Sequence, residues 1–194
     1  MAKKESTLSN MVFSLLIITA VSSASLGFLH QLTKEPKSIA EKIKQNFAIQ
    51  RVLPEHNNEP SADAFVVGCF DCDDQLTCYP ASQNGELVGI AVDTWTMNGY
   101  SGLVRLMVGF DKTGNIINIS VLEQRETPGL GTKMADAEFK DQYKGKNPCR
   151  NNLAVKKDHG EIDAITAATI SSRAFSEAVM RAYKSLEKAD KFEK

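Results

Sequence analysis

The sequence has little of what metal and cluster centres are built from. Three His and four Cys occur in 194 residues, so a His-rich metal site has no material. The single C-x-x-C, Cys69-Phe70-Asp71-Cys72, lacks the second C-x-x-C that a zinc or iron–sulfur ligand set usually shows. A redox dithiol, a metal site and a cluster ligand set all use such a motif. We read Cys69, Cys72, Cys78 and Cys149 instead as disulfides or inert thiols of an oxidising compartment, with three pairings open. An excess of either charge is also missing, with 23 Lys and Arg against 24 Asp and Glu. That balance excludes the basic field of a nucleic-acid binder and the acidic tail of a solvating segment. Internal repeats and low-complexity runs are absent, so neither a solenoid nor a fibrous chain is expected.

Long apolar runs are scarce as well, apart from one. Met11–Leu29 is 19 residues without a charge, enough to span a hydrocarbon core as a helix. Ser14, Thr19, Ser22, Ser23 and Ser25 make it polar for a lone span, which suits a face packed on other membrane helices. Lys3 and Lys4 precede it, consistent with a cytoplasmic N-terminus. A cleaved signal peptide is the competing reading, and both readings export the remainder of the chain. The expected division is a cytoplasmic N-terminus at 1–10, a transmembrane helix at 11–31, a juxtamembrane helix and linker at 32–62, and an extracytoplasmic domain at 63–194.

Pro36 can open a helix in its first turn, and Ile39, Ile43 and Phe47 repeat at four-residue spacing as its apolar face. Strands are expected at 64–67, 87–95, 103–110 and 116–122, where β-branched residues gather. The last two form a hairpin through Asp111–Asn115, and Asn98–Gly102 is a turn. A helix is expected over 135–143 and a short strand over 153–156. Phe175, Ala178, Val179, Ala182, Tyr183 and Leu186 trace one face of a final helix, capped by Ser171 or Ser172. Strands in the centre with helices around them make the class α+β, with a mainly antiparallel sheet.

The chemistry is concentrated in Asp163-Ala-Ile-Thr166-Ala167-Ala168-Thr169-Ile-Ser171. Free N–H groups and the helix dipole at a helix start favour an anion, and Ala167 and Ala168 leave room for a phosphate close to the main chain. Thr169 puts a hydroxyl there. A Thr/Ser-rich segment before a helix is equally well a plain cap. Upstream, Glu126-Thr127-Pro128-Gly129-Leu130-Gly131 is a stiffened loop whose glycines let the main chain approach a flat ligand, or else a simple connection after the hairpin.

Asp-x-x-Thr-Ala-Ala-Thr resembles the flavinylation motif of the Rnf and Na⁺-translocating NADH:quinone reductase families, whose usual form is Asp-x-x-Ser/Thr-Gly-Ala-Thr. The Glu-Thr-Pro-Gly-Leu-Gly loop resembles a second segment of the same families, one that lies near the flavin. Length favours the G subunit of Rnf over the longer C subunit of the quinone reductase. The resemblance implies FMN joined by a phosphoester to Thr169, with Thr166, Ala167, Ala168, Ser171, Glu126, Thr127, Gly129, Leu130 and Gly131 around it. It implies Asp163, Thr166 and Thr169 as the residues a flavin transferase recognises. Ala167 stands where Gly is usual, which matters if the backbone there needs positive φ. The implied role is an electron-transfer subunit of a ferredoxin:NAD oxidoreductase that moves Na⁺ or H⁺. The implied partners are the other Rnf subunits, especially the flavin-bearing D subunit and the A and E subunits, all in the membrane. Thr169 is then a tether, and no side chain acts as a catalyst. The alternatives are a flavoprotein of another extracytoplasmic electron-transfer system, or a non-redox assembly module.

Overall fold

The computed structural model describes residues 7–192, which fall into two units divided between Ile43 and Lys44. Helix α1 (Leu8–Val52) enters both. Within the first unit its side chains Leu15, Ile17, Ile18, Val21, Phe28 and Leu29 are exposed. An 18-residue window there has a mean hydropathy of 2.1, so by length and composition this helix can cross a membrane. Thr19 donates its hydroxyl to Leu15 O and Leu16 O at 2.9 and 3.0 Å, which satisfies it inside its own helix. Pro36 does not open a new helix as expected from the sequence; it lies inside α1. A proline removes one intrahelical donor, and the turns on either side can still carry the helix through. The expected apolar face is corrected too: Ile39, Ile43 and Phe47 are exposed, while Ala48, Ile49 and Val52 are buried.

The second unit is built on five antiparallel strands in sequence order: β1 (Phe65–Gly68), β2 (Gln75–Gln83), β3 (Glu86–Gly99), β4 (Gly102–Phe110) and β5 (Ile116–Gln124). The two-residue alternation of a strand sorts its side chains between two layers. Ile90, Val92, Leu106 and Val108 face one core, while Ala91 and Met107 face the other. The first core is closed by α3 (Thr169–Lys188), whose Phe175, Ala178, Val179, Ala182 and Leu186 are fully buried. The second is closed by the last turns of α1, through Ala48, Ile49 and Val52 with Tyr79, Ala81 and Leu122. The fold is α+β, as the sequence pattern predicts.

Strand β2 was not expected from the sequence, and it contains Pro80. Pro80 O accepts from Asn58 Nδ2 at 2.9 Å, so that side of residue 80 faces the edge beyond the end of β1. The missing N–H therefore removes no ladder bond. The β2–β3 link is Asn84-Gly85, with φ of 55° and 86°, the conformation a two-residue hairpin turn demands. The helix expected over 135–143 is instead a series of short turns: a 3-10 turn (Gly131–Ala135), one turn of α2 (Ala137–Lys140) and a 3-10 turn (Asp141–Tyr143). Phe139 and Tyr143 anchor this series on Phe175, with ring centroids 5.2 and 5.1 Å away. The strand expected over 153–156 reduces to one bridge, Val155 to Ile162, followed by a 3-10 turn (Lys156–Asp158). Among the described residues no neighbouring strand extends it.

Cys69 and Cys72 form a disulfide in the β1–β2 connection. The same loop docks on α3: Phe70 N–H donates to Ser185 Oγ at 3.0 Å, and Arg181 grips Asp71 at 2.6 and 3.0 Å. The Arg181 hydrogen bond holds the Asp71 carboxyl below its usual range. Cys78 is a buried free thiol, pushed up to about 12 by burial, and Cys149 is a free exposed one.

Gly109 on β4 lies under the end of α1. A Cβ there would sit 1.9 Å from Val52 O, so only glycine admits this approach. Gly109→Ala is expected to cost about 1–3 kcal/mol by overpacking, read as a lower urea midpoint at unchanged slope. A wild-type midpoint would show that the α1 end does not rest on β4.

Candidate functional site

Three segments far apart in sequence meet at the start of α3. They are the β3–β4 turn at 98–102, the loop after β5, and the first turn of α3. Their common point is the Glu126 carboxylate, only 4% exposed. Its Oε1 accepts from Ser101 N–H at 3.2 Å, and its Oε2 accepts from the Ser171 hydroxyl at 2.7 Å. Hydrogen bonds to a buried carboxylate are charge-assisted, at about 1.5–3 kcal/mol each. The glycines around it have a matching role. A Cβ on Gly131 would lie 2.7 Å from Glu126 Oε2 and from Ser171 Oγ, and one on Gly99 would lie 2.5 Å from Oε1. Gly131 therefore makes room for protein, although the sequence suggested room for a flat ligand. Gly129 is exposed with φ of 77°, and a Cβ there meets open space.

The approach to α3 is tightly shaped. Ala167 adopts φ of 60°. This left-handed conformation is what Gly would take without strain, which gives the sequence's departure at 167 a physical cost. Ala168 is the N-cap and offers no side-chain bond. The expected cap by Ser171 or Ser172 does not form, because the helix starts ahead of both and they lie inside its first turns, bonded elsewhere. Ser171 holds Glu126, while Ser172 Oγ accepts from Ile165 N–H and donates to Ala168 O, each at 3.0 Å. Thr169 is thus the first residue of a 20-residue helix whose N-terminus has no side-chain cap. The N–H groups there lack intrahelical acceptors and carry the positive end of the dipole.

Beside Thr169 lies a cleft of about 480 Å³, lined by Tyr100, Glu126, Thr127, Leu130, Gly131 and 167–171. Tyr100, Leu130 and Ile170 are 68, 39 and 47% exposed, an apolar and aromatic rim next to the hydroxyl. Such a pairing fits a planar ring joined to a phosphate. Asp163 and Thr166 do not share this cleft. They line a second one of about 450 Å³ with Asp136, Glu138 and Gln142. Gln142 brackets Asp163 there, accepting from its N–H at 2.7 Å and donating to its C=O at 3.2 Å.

The sequence pattern gave no sign of one side chain at the site. Lys157 Nζ donates to Thr169 Oγ1 at 3.3 Å. Its neighbour Lys156 pairs with Asp163 at 2.7 Å, and Asp158 is gripped by Arg173 at 2.7 and 2.8 Å, which holds its carboxyl below the usual range. The Lys-Lys-Asp run is visible in the sequence, but only folding of the 152–163 loop onto α3 aims it.

Residues 99–184 match the FMN-binding domain family. The chain is 33% identical to the G subunit of the ion-translocating oxidoreductase complex of Aliivibrio fischeri, over 90% of this chain and 87% of that one. It is 31% identical to the G subunit of the Na⁺-translocating ferredoxin:NAD⁺ oxidoreductase complex of Acetobacterium woodii, over 90% of both chains. This chain belongs to the G-subunit family of ion-translocating oxidoreductase complexes. Among solved structures it is similar to the C subunit of the Na⁺-translocating NADH-quinone reductase of Parabacteroides distasonis. That likeness has 21% identity and a TM-score of 0.49, covering 74% of this chain and 79% of the other. In this G subunit the family match begins at the β3–β4 turn and ends within α3, so it takes in all three segments that Glu126 joins.

Two outcomes test the geometry. Ala167→Gly is expected to stabilise the protein by about 0.5–1 kcal/mol, because relief of left-handed strain exceeds the gain in unfolded-state freedom; thermal melting reads it as a higher Tm. Glu126→Ala is expected to cost about 2–4 kcal/mol in denaturant unfolding, since Ser171 Oγ and Ser101 N–H lose a buried acceptor.

Proposed function

We propose that this G subunit holds FMN esterified through its phosphate to Thr169 and relays electrons inside a membrane-bound ferredoxin:NAD oxidoreductase that moves Na⁺ or H⁺. The observation that carries the proposal is Thr169 itself. It is a half-buried hydroxyl opening a 20-residue helix that no side chain caps, at the lip of an apolar-rimmed cleft. The free N–H groups of α3 would hold the phosphate, and the fixed main chain at 167–168 would bring it close. Tyr100, Leu130 and Ile170 would flank the ring, and Glu126 would keep the loop and the helix start in register around it. When bound, the isoalloxazine supplies the redox chemistry, taking up one or two electrons. No side chain at the cleft is asked to act as acid, base or nucleophile during turnover. The protein's own contribution is attachment, orientation and shielding.

The remaining assignments rest on this reading. The apolar part of α1 serves as a single-pass anchor, with the N-terminus in the cytoplasm and the FMN domain on the extracytoplasmic side. A covalent tether makes sense there, because free flavin would diffuse away. The D, A and E subunits are the neighbours in the membrane, and the first of these bears the flavin that exchanges electrons with this one. Asp163, Thr166 and Thr169 are read by a flavin transferase during maturation. Asp163 and Thr166 line a cleft of their own, beside the one that Thr169 opens on.

The test is Thr169→Val in the full chain, coexpressed with a flavin transferase. We expect a folded protein with no flavin fluorescence in a denaturing gel, while wild type yields a peptide around residue 169 heavier by one FMN phosphoester. Fluorescence retained by the variant, or an unmodified wild-type peptide, refutes the proposal.

A further inference from the structure

Lys157 has an arrangement that its neighbours do not share. The 3-10 turn Lys156–Asp158 is pinned on three sides. Lys156 N–H donates to Ile162 O at 2.8 Å, Lys156 Nζ pairs with Asp163, and Asp158 is held by Arg173 of α3. His159 closes the turn in the left-handed region at φ of 60°. The backbone that carries Lys157 is therefore fixed against the start of α3. Both neighbouring charges have ionic partners. Among the described residues Lys157 makes no ion pair, and its hydrogen bond goes to the neutral hydroxyl of Thr169 at 3.3 Å.

A neutral hydroxyl is a weak reason to order a lysine. The chain loses rotamer freedom and gains one bond to a group that water serves equally well. The ammonium has three donors and uses one on Oγ1, so two remain for an acceptor attached there. A phosphodiester on Oγ1 would bring one negative charge and two anionic oxygens into that space. One lysine matches one such charge.

Resting on the reading that FMN is esterified to Thr169, we infer that Lys157 is the counter-charge of that ester. It would hold the phosphate together with the N–H groups of α3 and so fix where the flavin leaves the protein. It is a positioning residue and takes no part in redox chemistry. The division of labour within Lys156-Lys157 is then clear: Lys156 neutralises Asp163 at the start of the motif, and Lys157 serves Thr169 at its end.

The experiment compares wild type, Lys157→Gln and Lys157→Arg as full chains in detergent, each prepared with and without transferase. Loading at residue 169 is read by peptide mass, and unfolding by calorimetry. Without flavin all three are expected to melt together, since Lys157 is exposed and bonded only to a hydroxyl. With flavin, wild type and Lys157→Arg should melt higher than Lys157→Gln by about 2 °C at low salt, a gap that closes in about 1 M salt as an ionic contact is screened. Failure of Lys157→Gln to load while Lys157→Arg loads supports the same role. A fully loaded Lys157→Gln that melts with wild type at low salt overturns it. Failure of both variants to load also overturns it, because the transferase would then be reading the lysine itself. An unmodified wild-type peptide removes the esterified flavin, and the role of Lys157 with it.

Discussion

One buried carboxylate holds the site together. Glu126 is almost wholly removed from water, and its two oxygens are answered by Ser101 N–H on a hairpin turn and by the Ser171 hydroxyl inside a helix. A charge placed there without partners would be costly, so the turn, the loop and the helix must arrive together. Gly99 and Gly131 let them come close enough. Ser172, next along the helix, bonds Ile165 N–H and Ala168 O and so ties the approach to the first turn of α3. With Ala168 at the N-cap, the start of α3 has no side-chain cap.

The rest of the second unit is the scaffold for that junction. The sheet presents one apolar face to α3 and the other to the end of α1, so each central strand is covered on both sides. This fixes α3 along its length by Phe175, Ala178, Val179, Ala182 and Leu186, which in turn fixes where Thr169 stands. The β1–β2 loop, tied by Cys69–Cys72, adds a clamp at the far end through Asp71 and Arg181. Strain is stored at one residue of the approach, Ala167, which holds a left-handed backbone.

How much of this was legible from the sequence varied with the physics behind each signal. The final helix was readable because its apolar residues repeat at the helical period along its length, and the β4–β5 hairpin because Asp111–Asn115 is turn chemistry between alternating runs. Strand β2, which contains Pro80, was not expected, although Asn84-Gly85 was a turn signal in plain view. The cap was misassigned because serine's preference for a helix start is only local, and the helix begins at Thr169, ahead of both serines. Pro36 misled for a similar reason, since a proline's preference for the first turn is only a preference.

By itself the sequence determined the class of fold, the apolar N-terminal segment, and the two motifs whose order marks the family. Those properties reside in periodicity, composition and short-range spacing, which survive without coordinates. Only the tertiary structure decided that Asp163 and Thr166 open on one cleft and Thr169 on another, that Gly131 makes room for Glu126, and that Lys157 reaches the Thr169 hydroxyl. Each of these depends on which side chains a folded chain brings within about 3 Å of one another. Contacts of that kind between distant residues leave no periodic trace along the chain.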